Sequence, residues 1–264
     1  MDLDRKISEL KAARVPLCVA TVVRAEGSSP RGVGAKMVVT REESFGTVGG
    51  GGVEHEAIDD ARELLRLRRS ETRRYDLSAE GGIQSCGGAV EIFFECAAPR
   101  MPLVVFGAGH IAEALAPMLP GLGFETTLVD ERAGRVALPA FGSVDMKITK
   151  LPGEALREIE FSDELSILCL THAHVHDEEI VEYCLDKPFR YLGLISSRKK
   201  WALFRERYGA KGFTGEQLSR VSTPVGLDIG ADTPLEIAIA IAAEMILLRA
   251  RPKDYAAGFG RFKR

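Results

Sequence analysis

Cysteine is scarce in this sequence: there are five in 264 residues, at positions 18, 86, 96, 169 and 184, and none form a C-x-x-C pair. So few, in odd number, exclude a disulfide scaffold, and the missing C-x-x-C spacing argues against a structural zinc site. Neither sign of charge dominates. The 35 Lys and Arg residues against 38 Asp and Glu leave a net charge of −3, which excludes nucleic-acid binding driven by a basic body. Long apolar runs are missing too. The longest, 237–248, is broken by Glu244 and falls short of the ~20 residues a membrane span requires. Residues 1–14 mix charged and apolar positions with no continuous apolar core, so no secretory signal is expected. With 45% hydrophobic and 28% charged residues the composition is that of a globular protein. The expectation is a cytoplasmic protein with free thiols that binds neither membrane nor nucleic acid.

Glycine is what the sequence does have, and it divides the chain. Twelve of the 27 glycines fall in the first hundred residues, in clusters: 27–34, 46–52, 81–82 and 87–88. Between the clusters lie β-rich runs at 17–23, 36–40, 73–77 and 89–96, and one helical pattern at 53–67. These predict a small α+β domain with glycine where the backbone needs positive φ or close approach. Two prolines bracket 97–102, and after them short apolar strands alternate with helices. Strands are expected at 103–106, 125–129, 144–148, 165–170 and 191–195. Helices are expected at 111–121, 153–159, 178–185, 198–208, 214–218 and 234–250. Such alternation predicts a parallel sheet covered on both faces. The fold class expected is α/β: a Rossmann-like domain over 99–264, preceded by the smaller α+β domain over 1–98.

Chemistry concentrates in a few segments. Gly107-Ala-Gly109-His110-Ile-Ala112 leaves an apolar strand and opens a helix, the G-x-G-x-x-A form of the dinucleotide fingerprint. In that pattern Gly107 makes the turn, Gly109 admits a phosphate to backbone N–H groups, and Asp130 at the end of the next strand accepts from ribose hydroxyls. Gly27-Ser28-Ser29-Pro30-Arg31 offers hydroxyls and a guanidinium for an anion, or is simply a hairpin loop. Gly49, Gly50, Gly51 and Gly52 run straight into a helix, and four glycines together suggest close approach of a ligand or another chain. Cys86 stands between glycine pairs, either accessible and metal- or sulfur-facing or a small buried filler. Cys18, Cys96 and Cys169 lie in apolar strand patterns and read as filler. His172, His174 and His176 would project to one side of an extended segment as a metal comb. His172 and Asp177 also stand at the carboxyl end of a strand, where ligands bind in this architecture.

Taken in order, these segments resemble the xanthine dehydrogenase accessory factors of the XdhC/CoxI family. The first half matches in Gly27-Ser-Ser-Pro-Arg31, Gly34-Ala-Lys-Met37, Gly49-Gly-Gly-x-Val-Glu54 and Cys86-Gly-Gly88. The second half matches in Phe106-Gly-Ala-Gly-His110, Val129-Asp-x-Arg132, Thr171-His172 with Asp177, Gly193-Leu-Ile-x-Ser197 and Pro224-x-Gly-Leu-Asp-Ile-Gly230. The resemblance implies a non-catalytic chaperone, usually dimeric, that binds the molybdenum cofactor as molybdopterin or its dinucleotide. Such a chaperone protects the cofactor while a cysteine desulfurase supplies its sulfur and delivers it to a molybdenum hydroxylase apoenzyme. The residues expected to bind the cofactor are Ser28, Ser29, Arg31, Gly49, Gly50, Gly51, Glu54, Cys86, Gly107, Gly109, His110, Asp130, His172 and Asp177. Two positions depart from the family pattern: Gly52 stands where cysteine is common, and Ser196 where glycine is commoner. The alternative from the fingerprint alone is an NAD(P)-dependent oxidoreductase.

Overall fold

Alternation of apolar side chains along the first strand determines how the N-terminal part is layered. In the computed structural model, which describes residues 2–27, 31–77 and 88–250, α1 (Leu3–Ala12) precedes β1 (Leu17–Glu26), β2 (Lys36–Val39) and β3 (Ser44–Gly46). Then come α2 (Gly51–Leu67), β4 (Glu71–Asp76) and β5 (Ala89–Ala97). The five strands form one antiparallel sheet in the order β3-β2-β1-β5-β4. Cys18, Ala20 and Val22 face α2, whose Val53, Ala57, Ala61 and Leu64 recur at helical spacing. Leu17 and Val19 face the other way, toward Leu3, Ile7 and Leu10 of α1. α1 is a helix that the mixed charge of the first residues did not announce; Asp2 caps it by accepting from the N–H groups of Asp4 and Arg5.

The chain divides into two units, Met1–Pro99 and Arg100–Arg264. The second opens with β6 (Met101–Phe106), α3 (His110–Leu115), β7 (Phe124–Val129), α4 (Ala133–Val136), β8 (Met146–Ile148) and α5 (Pro152–Ala155). It continues with β9 (Ser166–Cys169), α6 (His174–Leu185), β10 (Tyr191–Leu194), α7 (Arg198–Ala210), α8 (Gly215–Ser219), β11 (Val221–Ser222) and α9 (Pro234–Ala250). All six strands run parallel in the order β11-β10-β9-β6-β7-β8, the doubly wound Rossmann arrangement. Along β6, Leu103 and Val105 pack with α3 and α9, while Val104 and Phe106 pack with α6 and α7. Both faces are therefore covered. Among the described residues no helix is long and apolar enough to cross a membrane.

Several boundaries moved, for identifiable reasons. The helix expected over 111–121 is α3 followed by a single 3-10 turn at Ala116–Met118, because Pro117 ends the α ladder. The arginines at 66, 68, 69, 73 and 74, which by their clustering read most simply as the exposed end of a helix, run from the end of α2 into β4. Arg68 terminates α2 in the left-handed region, whereas Arg73 lies on β4 and pairs with Asp60, Glu63 and Glu71.

Candidate functional site

The chain leaves β6 for β7 on one side and returns to β9 on the other, so the carboxyl ends of β6 and β9 flank a topological switch point. The two fingerprint glycines there serve different needs. Gly107 has φ +103°, and a Cβ on it would sit 2.4 Å from the Leu170 carbonyl oxygen and 2.8 Å from the Thr171 Cα. The fold itself forbids a side chain at that position. Gly109 has extended backbone and a would-be Cβ whose nearest neighbour, the Leu170 oxygen, is 3.9 Å away. Neither packing nor conformation requires glycine there, so its missing side chain leaves open space over the start of α3. The first-turn amides of that helix have no carbonyl partner within it. His110, the first residue of α3, is exposed beside them.

Ala108, between the two glycines, is held at both ends by side chains that follow β7. Its N–H donates to Asp130 Oδ2 at 2.6 Å, and its carbonyl accepts from Arg135 Nε at 2.8 Å. Asp130 is 1% exposed, and its two oxygens also accept from the Arg132 backbone N–H at 2.9 Å, Nε at 2.8 Å and Nη2 at 2.6 Å. Burial would raise this carboxyl, but the guanidinium and the two amides outweigh it and hold the group below the usual aspartate range. The free ribose acceptor expected at Asp130 is thus a brace for the turn, with all its acceptor directions taken. The group it presents outward is the partly exposed Arg132 guanidinium, whose planar fork suits a phosphate better than a diol.

The metal comb expected of His172, His174 and His176 does not form. Helix α6 begins at His174, so the three histidines do not share an extended segment, and the two on the helix point apart. The His174 Nδ1 lies 3.4 Å from Asp177 Oδ2, and its Nε2 faces Lys200 Nζ. His172 approaches Glu131 at 3.6 Å and stacks edgewise on His176 at 6.1 Å. Asp177 is buried, accepts from Thr171 Oγ1 at 2.6 Å, and is pushed up to about 6 by its burial, which the hydroxyl and the nearby histidines only partly offset. Among the described residues, the group that brings three metal-ligating atoms within 4.8 Å is Asp130, Glu131 and His172, but Arg132 already occupies the Asp130 oxygens.

Farther along the same edge lies a cavity of about 480 Å³, floored by Ile195, Val225, Ile237 and Ala240 and rimmed by Arg198 and Asp228. The rim pair meets at 3.3 Å. Its loop, which follows β11, is anchored by Glu244 of α9: this fully buried carboxylate accepts from Ser222 Oγ at 2.9 Å and from the Gly226 N–H. From the sequence, Arg198 with Lys199 and Lys200 at the start of a helix reads either as a phosphate holder or as a solvated basic face, whereas Asp228 and Glu244 are not singled out as site residues. The one available signal was a glutamate interrupting an otherwise apolar helix.

In the first unit, Ser28, Ser29 and Cys86 lie outside the described residues. Arg31 is exposed just before a hairpin closed by Gly34 N–H to Val22 O at 2.8 Å and Val22 N–H to Ala35 O at 2.9 Å. The glycine run is shaped from within. Gly50 and Gly51 have φ of 75° and 62°, and Glu54 Oε2 accepts from Gly50 N–H at 3.0 Å and from Thr47 Oγ1. Gly49 N–H donates to Thr47 Oγ1 at 3.2 Å. The chain's own carboxylate therefore sits at the positive end of α2, where a ligand or another chain was expected to approach. Gly107, Gly109, His110, Asp130, His172 and Asp177 come together along one sheet edge, while the glycine run and Glu54 form a separate group in their own unit.

Comparison with known proteins matches residues 103–245 to the XdhC Rossmann domain and residues 10–76 to the XdhC and CoxI family. The uncharacterized protein YqeB of Escherichia coli (strain K12) is 30% identical over 256 residues, 94% of this chain and 46% of that protein. A protein of Bacillus subtilis (strain 168) described as a probable xanthine dehydrogenase subunit is 30% identical over 161 residues, 61% of this chain and 46% of that protein. The chain thus spans about half the length of these curated relatives. A crystal structure described as a xanthine dehydrogenase from Bacillus halodurans covers 100% of both chains at a TM-score of 0.55 and 21% identity, a likeness of fold.

Proposed function

The chain belongs to the XdhC and CoxI family, and from that premise we propose that it is an accessory factor for a molybdenum hydroxylase of the xanthine dehydrogenase type. Its cargo in this reading is the molybdenum cofactor, as molybdopterin or its dinucleotide. The protein binds the cofactor in the cytoplasm, shields it while a cysteine desulfurase provides the terminal sulfur, and passes it to the apoenzyme. It acts as a homodimer and turns over no substrate of its own.

The observation that carries this reading is the open space at Gly109. A phosphate-bearing cargo needs amide donors that no side chain covers, and the fold keeps that position bare without needing to. Arg132, Arg198 and Lys200 add positive charge along the same edge, and the cavity beside Arg198 is large enough for a fused ring. A nicotinamide-dependent oxidoreductase would use this edge too, but its ribose acceptor, Asp130, already takes four donors.

Protein made in a molybdate-replete host should carry substoichiometric molybdenum and a pterin that fluoresces after oxidation. Gly109→Leu should lose both while melting close to wild type. Wild-type protein that retains neither, even after incubation with released cofactor, overturns the reading. Sustained NADH or NADPH turnover with carbonyl substrates, abolished by Asp130→Ala, would replace it with the oxidoreductase.

A further inference from the structure

Cys18 and Cys96 read from sequence as separate apolar fillers, yet the sheet brings them together. In the antiparallel β1–β5 pair Cys18 lies directly opposite Cys96. Directly opposed residues point to the same face with Cβ atoms about 4.5–5.5 Å apart. Both side chains join the one apolar cluster under α2. Their Cα separation in such a register is about 4.5–5.5 Å, inside the span a disulfide accepts, and closing the bond requires the Cβ atoms to draw in to about 3.5–4.5 Å. The two differ in access. Cys18 is fully buried, whereas Cys96 is partly exposed, beyond the end of β4, where its N–H donates to Ser70 Oγ at 3.0 Å.

We propose that Cys18 and Cys96 form a redox-responsive thiol pair that closes to a disulfide on meeting a two-electron oxidant, a peroxide or an oxidised low-molecular-weight thiol. With a peroxide, the Cys96 sulfur attacks the O–O bond and becomes a sulfenic acid, and the departing oxygen leaves as water after taking up a proton. The Cys18 thiol then attacks the Cys96 sulfur, and the sulfenic oxygen leaves with the Cys18 proton as a second water. Each sulfur gives up one electron, and the peroxide takes both. With an oxidised thiol, Cys96 forms the mixed disulfide and Cys18 displaces the second small thiol. The hydrogen bond between the two thiols divides these roles. It holds the Cys96 thiol below its usual range, and with burial it pushes Cys18 up, so Cys96 attacks first and Cys18 resolves. Cys169 and Cys184 are buried in the other unit, where burial pushes both thiols up, Cys184 to about 12.

The test treats full-length protein with hydrogen peroxide in one arm and oxidised glutathione in the other, then alkylates and maps peptides without reduction. The expected product is an intramolecular Cys18–Cys96 link, with the loss of two hydrogens in mass. The link should survive Cys86→Ser, and dithiothreitol should reverse both it and the accompanying rise in melting temperature. Whichever arm yields the link identifies the oxidant class. Two free, alkylatable thiols at 18 and 96 after both treatments overturn the proposal, as does a dominant link through Cys86, Cys169 or Cys184. Cys18→Ala and Cys96→Ser, each checked for a cooperative melt, should both abolish the link.

Discussion

Among single residues, Asp177 carries the clearest pH signature. Its folded value of about 6 lies above the ordinary 3.8 because burial disfavours the charge. Between these two values the folded chain keeps a proton that the unfolded chain has released. Stability therefore falls as pH rises from about 4 to about 6, and the full penalty persists above that. A shift of that size corresponds to about 2–3 kcal/mol at neutral pH. Asp177→Asn, which still accepts from Thr171, should flatten the slope in that window and raise stability at pH 7, as measured by urea unfolding across the range. An unchanged slope would show that the proton sits elsewhere. Residue-level legibility was uneven. The turn at Gly107 and the acid at Asp130 could be read from spacing alone, because a strand, two glycines and a following strand place them without further help. That Asp130 spends its oxygens on Arg132 could not, since the turn between them decides whether a neighbour two positions on folds toward it or away. The histidines at 172, 174 and 176 misled for a related reason: their spacing says nothing about where a helix begins.

At the level of elements, the loop after β11 and helix α9 stand or fall together through Glu244. Glu244→Ala would remove the carboxylate that the buried Gly226 N–H and the Ser222 hydroxyl both donate to, at a cost of about 3 kcal/mol. Faster hydrogen exchange over 223–231 should accompany a lower melting temperature, with Glu244→Gln, which keeps an acceptor oxygen, falling between. Exchange confined to the end of α9 would contradict this anchoring. α9 and β5 begin where the sequence places them, α9 because Pro234 and Glu236 mark the start of a long apolar run and β5 because apolar β-formers follow a glycine pair. Two short strands could not be read this way. β3, three residues long, and β11, two residues long, are made strands by the neighbours they pair with rather than by their own propensity. The same holds for the Cys18–Cys96 register, which exists only once β1 and β5 have met.

On the scale of the whole molecule, each apolar cluster among the described residues draws on one unit alone: 3–97 for two of them and 101–248 for the other two. A fragment spanning 100–264 should accordingly unfold cooperatively on its own, followed by near-UV circular dichroism and calorimetry. A fragment that binds ANS and melts without a transition would show that its core needs the first unit. The parallel order of that sheet also has a consequence for synthesis. β6 is a central strand, and its partner β9 begins about sixty residues later in the chain. At ribosomal speed those residues take roughly 3–12 s to appear. Through that interval one hydrogen-bonding edge of β6 waits beside β7 with nothing to pair with, and loop closure over such a span is slow in its own right. A translational pause between β8 and β9 would prolong that wait, so codon choice in this stretch bears on how much chain reaches the native sheet and how much is lost to aggregation.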